Sequence, residues 1–197
     1  MYKKLDDEIL NIILESGIDE FVDRGFSGAN MRGIAQRAGV SVGVIYKYFS
    51  DKDSFFRACL DHSLQLLDNV LAEAVKEEDD FDSCIRNIVY ALVRHSEQHS
   101  NYNAMYNEIT AGGCRVYAAE FAREIETRSA QVYSRLIAKA QAQGRISKDA
   151  DSGVLAFFFD NLLMMLQFSF SCEYYRERMK IFCGESADKE DIAEYMI

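Results

Sequence analysis

Residues 30–52 read NMRGIAQRAGVSVGVIYKYFSDK, which is the pattern of two short helices joined by a tight turn. Ile34 and Ala35 give the first helix a small apolar face for close packing. Gly39 supplies the left-handed backbone that ends many helices. Ser41 then stands at the N-cap position of the second helix, where its hydroxyl is expected to accept a hydrogen bond from a free amide two or three residues on. The stretch therefore predicts a helix-turn-helix, a motif that places its second helix in the major groove of DNA.

The remaining sequence favours helices throughout. None of its 197 residues is proline, and its eleven glycines are scattered. Proline interrupts helix interiors, and no long alternation of apolar and polar residues indicates a sheet. We therefore expect an all-α fold. In addition to the two short helices of the motif, helices are predicted near residues 5–24, 51–76, 82–99, 102–111, 115–143, 151–183 and 188–196.

Local signals predict where some of these helices begin and end. Gly25 is expected to stop the first helix, and Asn30 to cap the next one. Ser50 and Asp53 have capping-box spacing, which predicts that the long helix begins near residue 51. The acidic run KEEDDFD at 76–82 predicts a solvated boundary, because consecutive like charges disfavour packing. The first helix should cover a three-helix core with its apolar side chains, which are Leu5, Ile9, Ile12, Ile13, Phe21 and Val22.

The formal net charge of −10 is unevenly distributed along the chain. Residues 1–60 hold 8 Lys and Arg against 9 Asp and Glu, which leaves 14 against 23 for the remaining residues. The balance is thus −1 in the first segment and −9 in the second. Within residues 24–57 six basic residues stand against two acidic ones, a balance of +4. Such a patch gives salt-sensitive binding to phosphates, although the same charges also fit an ordinary solvated face.

The motif and its flanks resemble the DNA-binding domain of tetracycline-repressor-type (TetR-family) transcriptional regulators. The segment RGIAQRAGVSVGVIYKYFSDKDSFF at 32–56 carries the resemblance. Upstream, ILNIILESGIDEFVDRGFSGANM at 9–31 is similar to that family's first helix and loop. Downstream, SDKDSFFRACLDH at 50–62 is similar to the start of its long connecting helix. The segment QGRISKDAD at 143–151 resembles the connection before the dimerisation helix.

The resemblance implies a division into two domains and a set of DNA contacts. A helix-turn-helix domain is expected at 1–50 and a helical ligand-binding and dimerisation domain at 51–197, with 51–76 as the linking helix. The positions implied to approach base edges are Arg32, Val42, Gly43 and Lys47. Those implied to lie near phosphates are Asn30, Ser41, Tyr46, Tyr48 and Lys52.

The chemistry of several of these side chains suits the implied roles. Arg32 and Lys47 can donate to guanine O6 and N7, and Val42 can contact a thymine methyl group. Gly43 has no side chain with which to read a base. Tyr48 has a second interpretation, in which its ring packs under the next helix.

The segment GVLAFFFDNLLMMLQFSFSC at 153–172 is apolar on nearly every side. A soluble helix of this kind needs burial on nearly every side, which a partner subunit provides. A membrane span is the alternative, and its three central polar residues count against it. We expect a homodimer, not a membrane protein, with recognition helices about 34–36 Å apart, which is one duplex turn, or a multiple of that distance, on a palindromic operator. The dimer interface is expected to contain Leu155, Phe158, Leu162 and Met165, while Phe157, Met164 and Phe168 face the inside of their own domain.

The resemblance also implies that a small-molecule effector enters the C-terminal domain and releases the DNA. The residues expected to line its pocket are Tyr102, Met105, Tyr106, Tyr117, Phe121, Phe157, Asp160, Asn161, Met164 and Phe168. Most are aromatic or apolar, so the effector should be hydrophobic or aromatic, although each of them also fits an ordinary core. The two polar members need partners from a ligand, a neighbouring helix or the other subunit.

Other sites have weaker signals. His95 and His99 stand at i,i+4, a spacing that suits a metal, but the surrounding RHSEQHSN also fits a solvated helix end. We expect neither a metal nor a cofactor. The five cysteines include no CxxC pair, which argues against a disulfide framework and fits a reducing cytoplasm. Cys114, beside Arg115, is a candidate redox sensor.

The sequence favours a regulator over an enzyme. It contains no GxSxG, no HExxH and no phosphate-cradling glycine loop. Acidic residues directly after the basic N-terminus interrupt any signal-peptide pattern, so a cytoplasmic location is expected. We predict a ligand-responsive DNA-binding regulator, most simply a repressor. The alternative is a helical adaptor or small-molecule carrier without sequence-specific DNA binding, against which Arg32, Lys47 and Lys52 argue.

Overall fold

The computed structural model describes residues 6–75, 80–111, 118–185 and 189–197. Within these ranges the chain is helical and contains no β-strand, so the all-α prediction is confirmed. The helices are α1 (Asp7–Gly28), α2 (Met31–Arg37), α3 (Val42–Tyr48), α4 (Lys52–Ala74), α5 (Phe81–Gln98), α6 (Ser100–Ala111), α7 (Ala118–Ala142), α8 (Ser152–Ser171), α9 (Glu173–Cys183) and α10 (Lys189–Glu194).

Packing divides the chain into two compact units. The first unit comprises the described residues of Met1–Leu66 and Ala104–Ala118. The second comprises those of Leu67–Asn103 and Ala119–Ile197. Helices α4 and α6 therefore contribute residues to both units. The domain boundary expected between residues 50 and 51 stays a prediction.

Aromatic side chains form the centre of the first unit. Phe21, Phe55 and Phe56 are almost fully buried, and the ring centroids of Phe21 and Phe56 lie 4.8 Å apart in an edge-to-face arrangement. Gly17 lets α1 approach α4 closely, because a Cβ atom built there would lie 2.4 Å from the Phe55 ring. This contact fixes which face of α1 points inward.

The face of α1 that packs in the core matches the predicted one only in part. The buried side chains include Ile13, Ile18 and Phe21, whereas Ile9 and Ile12 remain 41% and 46% exposed. Apolar spacing alone does not say which of two overlapping stripes packs, and the close approach at Gly17 selects the one that contains Ile18. Leu5 lies outside the described residues. Gly25 interrupts α1 with a φ of +66°, as expected for a helix stop.

The long helix α4 begins with a cap shifted from the predicted register. The amide of Ser54 donates to Asp51 Oδ1 at 2.7 Å, and the Ser54 hydroxyl donates to the Asp51 carbonyl at 2.9 Å. Asp51 is therefore the capping residue, and the predicted pairing of Ser50 with Asp53 is wrong. These hydrogen bonds hold the pKa of Asp51 below its usual value.

The helix predicted at 151–183 is two helices. Cys172 adopts an extended backbone between α8 and α9. The Arg176 guanidinium donates to the Phe170 carbonyl at 3.0 Å and satisfies one of the carbonyls that the end of α8 leaves without a helical partner. Because this donor lies in the following helix, apolar periodicity gave no sign of the break.

The second unit has its own apolar core. Ile88, Val89 and Leu92 of α5 are essentially inaccessible, and Leu163 of α8 packs in the same cluster. Aromatic and aliphatic side chains of α7 complete it. The opposite face of α8 takes no part in this core and stays exposed.

Candidate DNA-binding surface

Helix α2 starts at the predicted cap. The Gly33 amide donates to Asn30 Oδ1 at 3.0 Å, and Asn30 has the extended backbone of an N-cap residue. The bond uses the side-chain carbonyl of Asn30, so its NH2 group takes no part in capping. Asn30 is exposed, which leaves that donor at the surface.

The turn between α2 and α3 closes as the sequence predicts. Gly39 has a φ of +68°, the Val40 amide donates to the Ala35 carbonyl at 3.0 Å, and the Gly39 amide donates to the Gln36 carbonyl at 3.3 Å. This pair of bonds is the Schellman motif, which requires a left-handed residue at the position of Gly39. The geometry fixes the direction in which α3 leaves the turn.

Helix α3 begins without the predicted hydroxyl cap. Ser41 has N-cap backbone angles, but its side chain makes no capping hydrogen bond. The Val44 amide instead donates to the Ser41 backbone carbonyl at 2.9 Å. The expected capping role of the hydroxyl is therefore wrong, and Ser41 is an exposed residue beside the start of α3.

One side of α3 is anchored and the other is accessible. Ile45 is fully buried and holds the helix against the first unit's core. Tyr46 is 52% exposed and Lys47 is also exposed. Val42 and Gly43 precede these two residues by four positions, so the four share one helical face. This face contains four of the nine positions that the family resemblance implies as DNA contacts.

The other positions have different environments. Arg32 is exposed on α2, and no ion pair holds its guanidinium among the described residues. The Lys47 ammonium lies 5.3 Å from the centroid of the Tyr48 ring, which is 37% exposed. The Tyr48 ring is thus partly packed and partly exposed, which decides neither for packing under the next helix nor for a phosphate contact.

Two arginines of the basic patch are held by carboxylates. Arg37 donates to Asp23 at 2.6 Å and lies 3.4 Å from Glu20 Oε2, while Arg24 Nε lies 3.2 Å from Glu20 Oε1. The bond to Asp23 raises the pKa of Arg37 above its ordinary value, although burial works against it. The balance of +4 counted from sequence therefore overstates the positive charge presented to solvent.

Lys52 is a structural donor in this arrangement. Its Nζ donates to the Phe26 carbonyl at 2.7 Å and to the Ala29 carbonyl at 3.2 Å, and it lies 3.5 Å from the Ser27 carbonyl. The same ammonium lies 4.7 Å from the centroid of the Phe26 ring. The resemblance implied a phosphate contact for Lys52, whereas here its ammonium closes the loop between α1 and α2 against the start of α4.

The residues expected to line an effector pocket occupy several environments. Those buried are Tyr102, Met105, Phe121 and Phe168, those half-buried are Tyr106, Asp160, Asn161 and Met164, and Tyr117 lies outside the described residues. Phe157 is 63% exposed, so the prediction that its ring faces the inside of its own domain is wrong. It lies on the outer face of α8 because that helix turns other residues toward the core.

A groove in the second unit is lined by a different set of residues. Its volume is about 540 Å³, and its lining consists of Ala72, Val75, Cys84, Val132, Arg135, Leu136 and Lys139. Two of these are cations spaced at i,i+4 on α7, and most of the others are apolar. None of the residues expected from sequence lines this groove. The signal missed was the alternation of Val132 and Leu136 with the two cations on α7.

Asp160 and Asn161 have partners within the second unit. Burial raises the pKa of Asp160 to about 6, the nearby Glu126 carboxylate adds to the rise, and a hydrogen bond with Ser129 opposes it. The Asn161 amide donates to the Phe157 carbonyl at 2.6 Å. Asp160 therefore has its partner on a neighbouring helix, α7, as one of the three expectations had it, whereas Asn161 bonds to its own helix, which was not among them.

The histidines expected to be either metal ligands or a solvated helix end form an aromatic cluster. The ring centroids of His95 and His99 lie 5.0 Å apart, and those of His99 and Tyr102 lie 4.7 Å apart. Burial, with the neighbouring His99, lowers the pKa of His95 to about 4. In the part of the chain that is described, no group of three or more metal-ligating side chains occurs. Cys114 lies outside the described residues.

The residues expected at a dimer interface divide into two pairs. Phe158 and Leu162 are each 60% exposed on α8. Leu155 is half-buried against the second unit's core, and Met165 is also half-buried. Among the described helices, α8 alone is long and apolar enough to cross a membrane, and 28% of its most apolar window is buried within the chain.

Comparison with known proteins identifies the helix-turn-helix. Residues 13–59 match the family described as bacterial regulatory proteins, tetR family. This segment of the chain therefore has the TetR type of helix-turn-helix. The transcriptional activator FasR of Mycolicibacterium smegmatis is 34% identical over 94 residues, which cover 48% of this chain and 43% of FasR. The transcriptional repressor Rv3405c of Mycobacterium tuberculosis is 36% identical over 56 residues, or 28% of this chain and 30% of the repressor.

The solved structure of FadR from Bacillus subtilis in complex with stearoyl-CoA has the same TetR fold. It superposes with a TM-score of 0.71 at 14% sequence identity and covers 94% of both chains. The curated relatives have names of transcriptional regulators, which agrees with the prediction of a TetR-family regulator rather than an enzyme. The chain spans less than half the length of these two relatives.

Proposed function

We propose that this TetR-family protein binds a specific DNA sequence as a homodimer, represses transcription there, and leaves the DNA when a small molecule binds its second unit. The observation that carries the proposal is the accessible face of α3, which is anchored from behind by Ile45. Tyr46 and Lys47 on that face, with Arg32 on α2, supply donors for phosphates and base edges. The family match over residues 13–59 supports the same conclusion.

The dimer is supported by an apolar surface on two packed helices. On α8 it consists of Val154, Phe157, Phe158 and Leu162, and on α9 of Tyr174, Ile181 and Phe182. Each of these side chains is at least half exposed in the single chain. A second copy that presents the same surface would remove them from water, which two-fold symmetry allows. Burial by a second copy would also account for the apolar composition of α8, whose outer face a single chain leaves exposed.

For the effector we propose an apolar molecule with an acidic group. The groove on α7 supports this, because its lining combines the apolar side chains of Val132 and Leu136 with the cations Arg135 and Lys139. The FadR neighbour, which contains stearoyl-CoA, gives a probe to start from. Stearoyl-CoA should raise the melting temperature of the wild-type protein, and free CoA should not, since it lacks the chain. The increase should be smaller in Arg135→Ala.

The deciding experiment is a salt titration of DNA binding. Fluorescence anisotropy would compare DNA from upstream of the protein's own gene with a scrambled duplex, for wild type, Arg32→Ala and Lys47→Ala. Lys148→Ala removes the same charge from an exposed site in the second unit and serves as the matched control. Specific binding should weaken by about 1–3 kcal/mol for a side chain that reads a base, and the salt slope should fall by about 1 for one that contacts a phosphate.

The outcomes separate the regulator from its alternative. Preference for the upstream duplex, lost in both binding-face variants and kept in Lys148→Ala, supports the regulator. If the upstream duplex shows no preference, selection from random DNA gives a second test that does not depend on the choice of promoter. Equal, weak binding to every selected and scrambled sequence would contradict specific DNA binding and favour the adaptor or carrier.

A further inference from the structure

A carboxylate is buried directly behind the DNA-binding helices. Glu20 on α1 is 2% exposed, although it is a charged residue with no place in the proposed contacts to DNA. Its Oε2 lies 3.4 Å from an Arg37 nitrogen at the end of α2. Its Oε1 lies 3.2 Å from Arg24 Nε but accepts no hydrogen bond among the described residues. A buried polar atom without a hydrogen bond is costly and needs an explanation.

The same oxygen is aimed at a glycine in α2. A Cβ atom built on Gly33 would lie 2.5 Å from Glu20 Oε1 and 3.0 Å from its carboxyl carbon. Real Cβ atoms do not approach other heavy atoms so closely, so any side chain at position 33 would displace the carboxylate. Gly33 has no unusual backbone angle that would call for glycine. Glycine in a helix interior also costs stability relative to alanine. The Glu20 carboxylate therefore occupies the space that the absence of a Cβ at Gly33 leaves, and burial with ion pairs to Arg24 and Arg37 limits its room to swing aside.

We propose that Glu20 and Gly33 are a matched pair that seats α2 on α1 and thereby sets the position of the DNA-reading face. The inference rests on the proposed DNA binding. Glu20 fills the space that Gly33 leaves, and its carboxylate holds Arg37 at the end of α2 where the turn to α3 begins. Glu20 is a positioning residue, because it acts through α2 and touches no part of the DNA.

The geometry explains why a small displacement here affects binding. Asn30 and Arg32 lie in the first turn around α2, next to Gly33, and the turn at Gly39 connects the far end of α2 to α3. Moving α2 away from α1 would therefore shift both the proposed contacts of Asn30 and Arg32 and those of α3 relative to the rest of the first unit. Binding that depends on several simultaneous contacts falls steeply when they no longer fit together.

A double-mutant cycle tests the pairing. Gly33→Ala would be made in the wild type and in Glu20→Ala, with affinities measured for a selected operator and a scrambled duplex. In the wild type, Gly33→Ala should weaken operator binding about tenfold and change scrambled binding little. In Glu20→Ala the carboxylate is absent, so the added methyl group should have no further effect. Glu20→Ala itself should fold, because Arg24 and Arg37 both reach solvent and Arg37 keeps Asp23.

Two controls separate size from charge and from general damage. Glu20→Gln keeps the size of the side chain without its charge, so Gly33→Ala should still weaken binding in that background. Gly28→Ala adds a methyl group where the nearest atom is at an ordinary 3.5 Å, and it should leave operator affinity unchanged. Equal losses from Gly33→Ala in all backgrounds, or no loss in any, would overturn the proposal.

A structural measurement keeps this inference distinguishable from the proposed function. Amide chemical shifts of α2 and α3 report the position of α2 against α1 whether or not DNA binds. They should move in Gly33→Ala and move much less when the same change is made in Glu20→Ala. Coupled shifts in a protein that binds no operator would contradict the proposed function alone. Operator binding without coupling in either affinity or shifts would contradict the pairing alone.

Discussion

Replacing Asp160 with asparagine should stabilise the protein at neutral pH. The Asp160 carboxyl is half-buried between α8 and α7, where desolvation and the Glu126 carboxylate raise its pKa from 3.8 to about 6. The folded state therefore holds the proton more tightly than the unfolded chain does. Stability that is fully present below about pH 4 is lost as the pH rises to about 6, and the penalty persists above that value.

The size of the effect follows from that pKa. A change from 3.8 to about 6 corresponds to about 3 kcal/mol for a fully desolvated group. Solvent reaches part of Asp160, so we discount the penalty to about 1–2 kcal/mol. Asparagine has the same shape, carries no charge and can still accept a hydrogen bond from the Ser129 hydroxyl. For a chain of this length the melting temperature of Asp160→Asn should rise by about 2–8 °C at neutral pH.

The assay is thermal unfolding of both proteins from about pH 4 to about pH 8 at one protein concentration. The quantity to compare is the difference in melting temperature between the two proteins at each pH. Both proteins lose stability as the pH falls from about 6.5, because the pKa of His95 is lowered to about 4 in the folded state. The advantage of Asp160→Asn should be near zero at the acidic end and grow toward neutral pH. Asp61→Asn, at an exposed site on α4, should show no such trend. An advantage independent of pH, or a less stable variant at pH 8, would refute the reasoning.

Three further substitutions test other parts of the structure. Gly17→Ala should lower the free energy of unfolding in denaturant by about 1–3 kcal/mol, because its methyl group would overlap a buried ring of α4. The control Gly28→Ala should leave that free energy nearly unchanged. Equal effects of the two substitutions would contradict the close approach of α1 to α4. Lys52→Met should lower the free energy of unfolding by about 1–3 kcal/mol, because it leaves loop carbonyls without a donor, and Lys148→Met serves as the control. An unchanged unfolding free energy together with weaker DNA binding would instead support a phosphate contact for Lys52. Phe158→Glu should change the molar mass measured by light scattering from that of a dimer to that of a monomer, and an unchanged dimer would place the interface elsewhere.

The prediction of the helix-turn-helix from sequence succeeded because its signals are local. A Schellman turn needs a left-handed residue, and Gly39 provides it within five residues of the carbonyls that it satisfies. Asn30 caps α2 through an amide three positions away. Such interactions depend on nearby residues, so one sequence is enough to find them.

The environment of the basic residues was not predictable in the same way. Lys52 reaches carbonyls more than twenty positions away, and Arg37 pairs with carboxylates of α1. These partners are set by how the helices pack, which spacing along one helix does not reveal. The sequence therefore identified the cations but not their protein partners: the phosphate contact expected of Lys52 stays a prediction, while in this structure its ammonium donates to carbonyls of the loop after α1.

The sequence alone determined that this protein is helical, that it carries a DNA-reading motif of the TetR type, and that α8 is too apolar for one small domain to cover. Tertiary structure decided which residues share a surface. It turned Phe157 outward and Leu155 inward on the same helix, split the predicted helix at Cys172, and buried Glu20 behind Gly33. The reason is physical: local backbone preferences act over a few residues, whereas burial and pairing depend on contacts between segments far apart in the chain.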